Sequence, residues 1–166
     1  MPPVARSLLR FPNPVDEVNA RLVAGGVVVL AVATLLTRQP WLLVVLATGF
    51  VLRVLAGPRW SPLALVATRV VRPRLRVAPR WVAGPPKRFA QGIGATLTVI
   101  ASVAALGFGA TGPAWVLTAM LLAAASLEAF VGLCLGCTLF GLAMRLGMVP
   151  QGVCEACSNL DLRHAA

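Results

Sequence analysis

The stretch LVAGGVVVLAVATLLT, residues 22–37, decides the fold. Its run VVVLAV reads as a strand if the solvent is water and as a helix if the solvent is lipid. In a bilayer an isolated strand leaves backbone N–H and C=O groups unpaired at several kcal/mol each, and a helix pairs them all. Composition settles which solvent applies. Of the 166 residues 58% are hydrophobic and only 12% charged, with a mean hydropathy of +0.85. A soluble domain of this length could not bury so much apolar surface. The chain therefore reads as an all-α integral membrane protein.

Working outward, crossing a hydrocarbon core of about 30 Å takes roughly 20 helical residues. Four segments qualify, at about 18–37, 41–56, 89–108 and 113–132, the first two joined by the turn Arg38-Gln39-Pro40. The prediction is a four-helix bundle within a membrane domain over 18–149, with a short helix possible at 138–147. An N-terminal tail, 1–17, precedes it and a cysteine-containing tail, 150–166, follows. Asp16 and Glu17 stand before the first apolar run, where they are expected to cap its helix; a cleavable signal is not expected there, and the first span should be retained.

Formal charge is +10, and its distribution carries the topology. The segment between the second and third spans holds Arg59, Arg69, Arg72, Arg74, Arg76, Arg80, Lys87 and Arg88, whereas the turn after the first span has only Arg38 and the turn GATGP has no base. The positive-inside rule places the basic segment in the cytoplasm and, with four spans, both termini too. The expected location is the inner (plasma) membrane, multi-pass. Bases clustered between apolar runs, with no soluble domain to present them, argue against nucleic acid as partner. Ser61 followed by Pro62 predicts a helix start in the basic segment. Leu63, Val66 and Val70 then make an apolar face, so an interfacial helix is expected, with Trp60 at headgroup depth. Arg69, Arg72, Arg74 and Arg76 would turn toward anionic lipid headgroups. The proline-rich RPRLRVAPRW should run extended. Arg53, about one turn from the end of the second span, is expected to snorkel to the interface.

All four cysteines lie in GLCLGCTLFGLAMRLGMVPQGVCEACSNL, residues 132–160, as two Cys-x-x-Cys pairs: Cys134 with Cys137, and Cys154 with Cys157. Three readings stay open. In a redox reading, breaks at Gly132 and Gly136 put Cys134 at the start of a new helical segment, where amide donors and the helix dipole stabilise a thiolate. The tail pair then exchanges with it as a shuttle. In a metal reading, the spacing C-x2-C-x16-C-x2-C suits a four-thiolate zinc site holding all four cysteines of a non-enzymatic anchor, though an apolar setting makes its charge expensive. In the third, each cysteine is a small buried hydrophobe. No other cofactor is indicated.

Glu128 lies within the fourth span, where an acid should face the bundle interior and find a partner. Gln91, Thr96, Thr98 and Ser102 of the third span are the expected donors, and Gly92, Gly94 and Ala95 the small residues that let helices approach. His164 is the only histidine, which excludes a bis-histidine haem.

Four motifs occur together: PVDEVNARLVAG, SPLALVATRVVRPRL, GPPKRFAQGIG and LEAFVGLCLGCTLF. In them the chain resembles the bacterial membrane family called domain of unknown function 4395, over roughly residues 13–140. The resemblance implies a four-helix integral membrane protein with Cys134 and Cys137 as its signature, and leaves Cys154 and Cys157 outside the common core. Glu128 departs from the asparagine common at its position. The resemblance also implies neighbours of thioredoxin-like and sulfurtransferase type, and hence thiol or sulfur chemistry. The functional expectation is a thiol-disulfide or sulfur-relay partner at the cytoplasmic membrane face.

Overall fold

The computed structural model describes residues 13–57, 60–75 and 77–148. It is all-α apart from a two-residue ladder in which β1 (Val15–Asp16) pairs antiparallel with β2 (Trp81–Val82), Val15 opposite Val82. Helix α1 (Glu17–Thr37) starts where Asp16 Oδ1 accepts the Val18 amide at 3.0 Å, and stops at Arg38, whose φ of 55° is left-handed. Helix α2 (Trp41–Ala56) follows after the tight turn. Helix α3 (Pro62–Val66) widens into a π-helical turn, Ala67–Val71, and tightens into a 3-10 turn, Arg72–Arg74. Helix α4 (Gly84–Ser102) and helix α5 (Thr111–Ser126) each continue as a π-helical turn, Val103–Gly107 and Leu127–Val131. Helix α6 (Leu135–Arg145) completes the described chain.

Three of these helices are long and apolar enough to cross a membrane: Glu17–Thr37, Gly84–Gly107 and Thr111–Val131. Helix α2, at 16 residues, rises only about 24 Å and falls short of a hydrocarbon core by itself. The third span starts at Gly84, five residues before Phe89. Pro85 and Pro86 occupy its first turn, where a missing N–H costs nothing, so Gly84-Pro85-Pro86 is a helix start.

Large apolar side chains cover the outside of the molecule as well as its interior. Val29, Leu36, Val116 and Phe130 point outward, at 61–78% exposure, while Ala31, Thr34, Ala114 and Thr118 are buried. Small residues inside let backbones approach, as expected where lipid is the solvent. The buried hydroxyls bond back to their own helix: Thr34 to the Leu30 carbonyl at 2.7 Å, Thr98 to Gly94 and Thr118 to Ala114 at 2.8 Å. Val27, Leu46, Phe50, Leu121 and Ala125 form one cluster of the interior, and Leu43, Ala101, Ala105 and Ala114 another. Helix α2 lies along α4, and the Phe50 ring sits where a Cβ on Gly94 would be. Gly92 has open space around its Cβ position, so of the two glycines expected at a close approach only Gly94 serves.

The basic segment folds back on α1. Leu63 covers Gly26, and Ala64 and Ala67 bury against Val23, leaving Val66, Val70 and Trp60 exposed. Ser61 occupies the position before α3, yet its hydroxyl does not cap. Its carbonyl accepts the Leu65 amide at 2.9 Å, while its buried Oγ has no partner among the described residues. Arg72 is not free for lipid, because its Nε pairs with Asp16 at 3.2 Å. Arg80 pairs with Glu17 at 3.0 Å. Arg69 and Arg74 are exposed, and Arg76 lies outside the described residues.

Candidate functional site

The start of α1, the end of α2, the start of α4 and the end of α5 converge at one side of the molecule. Arg21 of α1 donates from Nε and Nη2 to the Ala129 carbonyl, both at 3.2 Å, and from Nη2 to that of Phe130 at 3.0 Å. These are carbonyls that the end of a helix leaves without intrahelical partners. Arg88 of α4 donates to the Val54 carbonyl of α2 at 3.1 Å.

At this junction the chain breaks. Gly132, at φ 80°, takes the left-handed turn that ends α5, and Cys134 is the extended residue immediately before α6. Gly136 does not break the helix. It is buried within α6, and a Cβ there would come within 2.5 Å of the Ala90 backbone, so it lets α6 press against α4. The rings of Phe89 and Phe140, with centroids 5.6 Å apart, fasten the same pair of helices.

Cys134 is thereby buried and Cys137, one turn on, is half-buried; both are free thiols. The Cys137 thiol donates to the Cys134 sulfur, which holds the Cys134 pKa down at about 7 against the opposing effects of burial and of Glu128. Lys87 and the Cys137 amide also favour the thiolate, although the amide does not close a full capping hydrogen bond. The same bond, with burial, pushes the Cys137 thiol well above the ordinary range. Proton and charge are thus divided unequally: Cys134 is the sulfur that ionises and Cys137 the one that keeps its hydrogen.

Lys87 and Glu128 lie beside them, Nζ to Oε1 at 2.7 Å, with side chains 9% and 14% exposed. The expected third-span donors to Glu128 do not serve. Thr96, Thr98 and Ser102 bond carbonyls of their own helix, and the buried Gln91 Oε1 has no partner among the described residues. Arg53 does not snorkel. It is 3% exposed, its Nε donates to the Gly49 carbonyl at 3.0 Å, and its guanidinium lies 4.2 Å from the Phe50 ring centroid, turned inward by an aromatic face and by the charge of Glu128. From sequence Lys87 counts only as one base of the segment before the third span, although a signal of a separate role exists: it is the chain's only lysine, set just before the third-span aromatic.

Two hollows share Cys134 in their lining. A groove of about 440 Å³ includes Glu17, Pro86, Lys87, Cys134 and Cys137 in its lining. A more enclosed cavity of about 270 Å³ runs from Cys134 into the helix interior. Cys154 and Cys157, the tail pair, lie outside the described residues, so the structure brings together Cys134, Cys137 and Glu128 of the predicted site.

A family model described as domain of unknown function (DUF4395) matches residues 15–145. The chain belongs to this family. The DUF4395 match spans α1 to α6 and takes in every residue of the junction, both cysteines included, while the tail pair falls beyond it. No curated protein and no solved structure matches the chain.

Proposed function

We propose that this DUF4395 protein is a thiol-disulfide exchange partner of the inner membrane, in which Cys134 attacks and Cys137 resolves. The observation that carries the reading is the placement of the two free thiols at the start of α6, Cys134 buried just before its first turn and Cys137 one turn on, beside the Lys87–Glu128 pair, an arrangement that favours ionisation of Cys134 over Cys137. Cys134 thiolate attacks one sulfur of a partner disulfide, forming a mixed disulfide and releasing the other partner sulfur as a thiolate. Cys137 then gives up its proton and attacks Cys134, and the second partner sulfur leaves. The chain ends oxidised, the partner ends as a dithiol, and the reverse sequence runs by the same steps. A persulfide on a sulfurtransferase would meet the same nucleophile, which is the sulfur-relay form of the reading.

The membrane arrangement belongs to the same proposal. Helices α1, α2, α4 and α5 cross the bilayer, α2 completing its span with the flanking Pro40 and Gly57. Both termini lie on the cytoplasmic side. The groove at Cys134 adjoins the basic segment through Val82, Ala83 and Lys87, so the positive-inside rule assigns the cysteines to the cytoplasmic face. A thioredoxin-like protein or a sulfurtransferase is the soluble partner, and Cys154 with Cys157 the shuttle between them. Arg69 and Arg74 meet anionic lipid headgroups.

The test is zinc content together with thiol counting on the purified full chain, before and after mild reductant and after excess disulfide. No stoichiometric metal, with thiols that titrate reversibly in pairs, is the expected result. About one zinc per chain with all four thiols protected would replace exchange with a structural zinc anchor.

A further inference from the structure

The inner cavity holds what the thiol chemistry leaves unused. Its walls are mostly apolar, Phe50, Ile93, Leu97 and Leu121 among them, and Cys134 lines one end. Three polar side chains also reach it: Arg53, Gln91 and Glu128. Arg53 is almost wholly buried, yet only its Nε makes a hydrogen bond among the described residues, so its two terminal nitrogens bring unused donors to the cavity. Gln91 Oε1 is a buried acceptor without a partner among the described residues. Unpaired donors and acceptors in an apolar interior are costly, and they mark a place where a ligand supplies the missing bonds. Met120, Leu135 and Leu139 line the cavity and are also exposed on the outer surface, at 42–56%, so an apolar ligand arriving from lipid would enter between these side chains of α5 and α6.

We infer that this cavity binds the head of a membrane quinone, which accepts the electrons of the Cys134–Cys137 pair; the inference rests on the thiol-exchange reading. Such a ligand is apolar enough to enter from lipid and carries carbonyl oxygens that accept from Arg53. Once reduced it carries hydroxyls that donate to Gln91 Oε1. The volume, about 270 Å³, lies just below the usual range for ligand sites of roughly 300–1,000 Å³, which suits a single ring with its tail left between α5 and α6. The step balances. Cys134 thiolate adds to the quinone ring, Cys137 attacks the Cys134 sulfur and breaks that sulfur-carbon bond, and a disulfide forms. Two electrons pass from the pair to the quinone; one proton comes from Cys137 and the second, given up to water when Cys134 ionised, is taken back from water, so the ligand leaves as quinol. Cys134 lines both hollows, so one residue can take electrons from a soluble dithiol in the groove and give them to the ligand in the cavity.

The experiment uses the reduced full chain in lipid nanodiscs under anaerobic conditions, with decyl-ubiquinone as the probe and dithiodipyridine as a soluble disulfide in parallel. Expected is saturable quinol formation, matched by a Cys134–Cys137 disulfide found by peptide mapping. Ala124→Phe, which fills the cavity, should slow it at least tenfold below saturation, and Arg53→Gln should raise the apparent KM, with Arg53→Lys recovering part of the loss. Melting temperature reports whether each variant is folded, and Ala124→Leu serves if the larger side chain is not tolerated. Oxidation of the pair by dithiodipyridine but not by quinone overturns the quinone assignment and leaves thiol exchange standing. Oxidation by neither overturns both. Quinone reduction at an unchanged rate in the folded Ala124 variants overturns the assignment to this cavity.

Discussion

Lys87 Nζ stands 2.7 Å from Glu128 Oε1, and this ion pair joins the first turn of α4 to the last turn of the α5 segment directly beside Cys134. With both side chains largely buried, removing one partner leaves an uncompensated charge, which costs more than losing both. Lys87→Met should therefore destabilise the chain by about 3 kcal/mol. The double variant Lys87→Met/Glu128→Gln should recover more than half of that loss. Reversible unfolding in mixed micelles measures both, and equal losses in the single and double variants would show that the pair is not coupled.

The thiol pair predicts a pH profile. With Cys134 ionising at about 7, its alkylation rate should climb through neutrality and reach half its plateau near that pH. The shift is downward from an ordinary thiol, so its removal moves the profile to higher pH. Cys137→Ala deletes the donor and should slow alkylation at pH 7 by roughly tenfold while leaving the high-pH plateau alone. An unmoved midpoint in this variant would show that Cys137 does not donate.

Gly136 is small because Ala90 is near. Gly136→Ala places a methyl group within 2.5 Å of backbone, which cannot yield as the end of a side chain can. The expected cost is about 1–3 kcal/mol, accompanied by a higher Cys134 midpoint as α6 moves off α4 and Lys87. Gly141, in the same helix, has nothing within 4 Å of its Cβ position. Gly141→Ala should stabilise by about 0.5–1 kcal/mol and leave the cysteine profile unchanged. A matching effect at both positions would mean that the helix pair is not in contact at Gly136.

These positions also show what the sequence could disclose. Residues 22–37 announce a helix because unpaired backbone is intolerable in lipid, and the glycine before Cys134 announces a turn. Glu128 announces a buried partner without naming it. The hydroxyls of α4 looked suitable, but Thr98 satisfies itself on the Gly94 carbonyl one turn back, a local bond that spacing does not reveal. Lys87 was hidden for the opposite reason. The apolar run suggests a span from Phe89, whereas Pro85 and Pro86 fit the first turn of α4 and carry Lys87 inside it. Arg53 looked like a residue reaching for the interface, and only the three-dimensional placement of Phe50 and Glu128 draws it inward. Gly136 reads as a helix breaker from sequence, and its actual role depends on a residue 46 positions earlier, Ala90, that no local pattern links to it.

Arg21 offers a last test of the junction, because one planar guanidinium bonds two successive orphan carbonyls at the end of the α5 segment. Its Nη1 also lies 3.3 Å from the Cβ position of Gly132, so the turn before Cys134 is held against it. Arg21→Lys keeps the charge but cannot span both carbonyls, and Arg21→Met loses every bond. The expected order of stability is wild type, then Lys, then Met, with about 1.5–3 kcal/mol lost at the last step of that series relative to wild type. Amide hydrogen exchange at residues 129–134 should quicken in the same order. Alkylation of Cys134 should accelerate at every pH, because the sulfur loses burial while its donor, Cys137, stays in place. Faster exchange confined to α1 would show instead that Arg21 stabilises only its own helix and not the turn that positions the thiol.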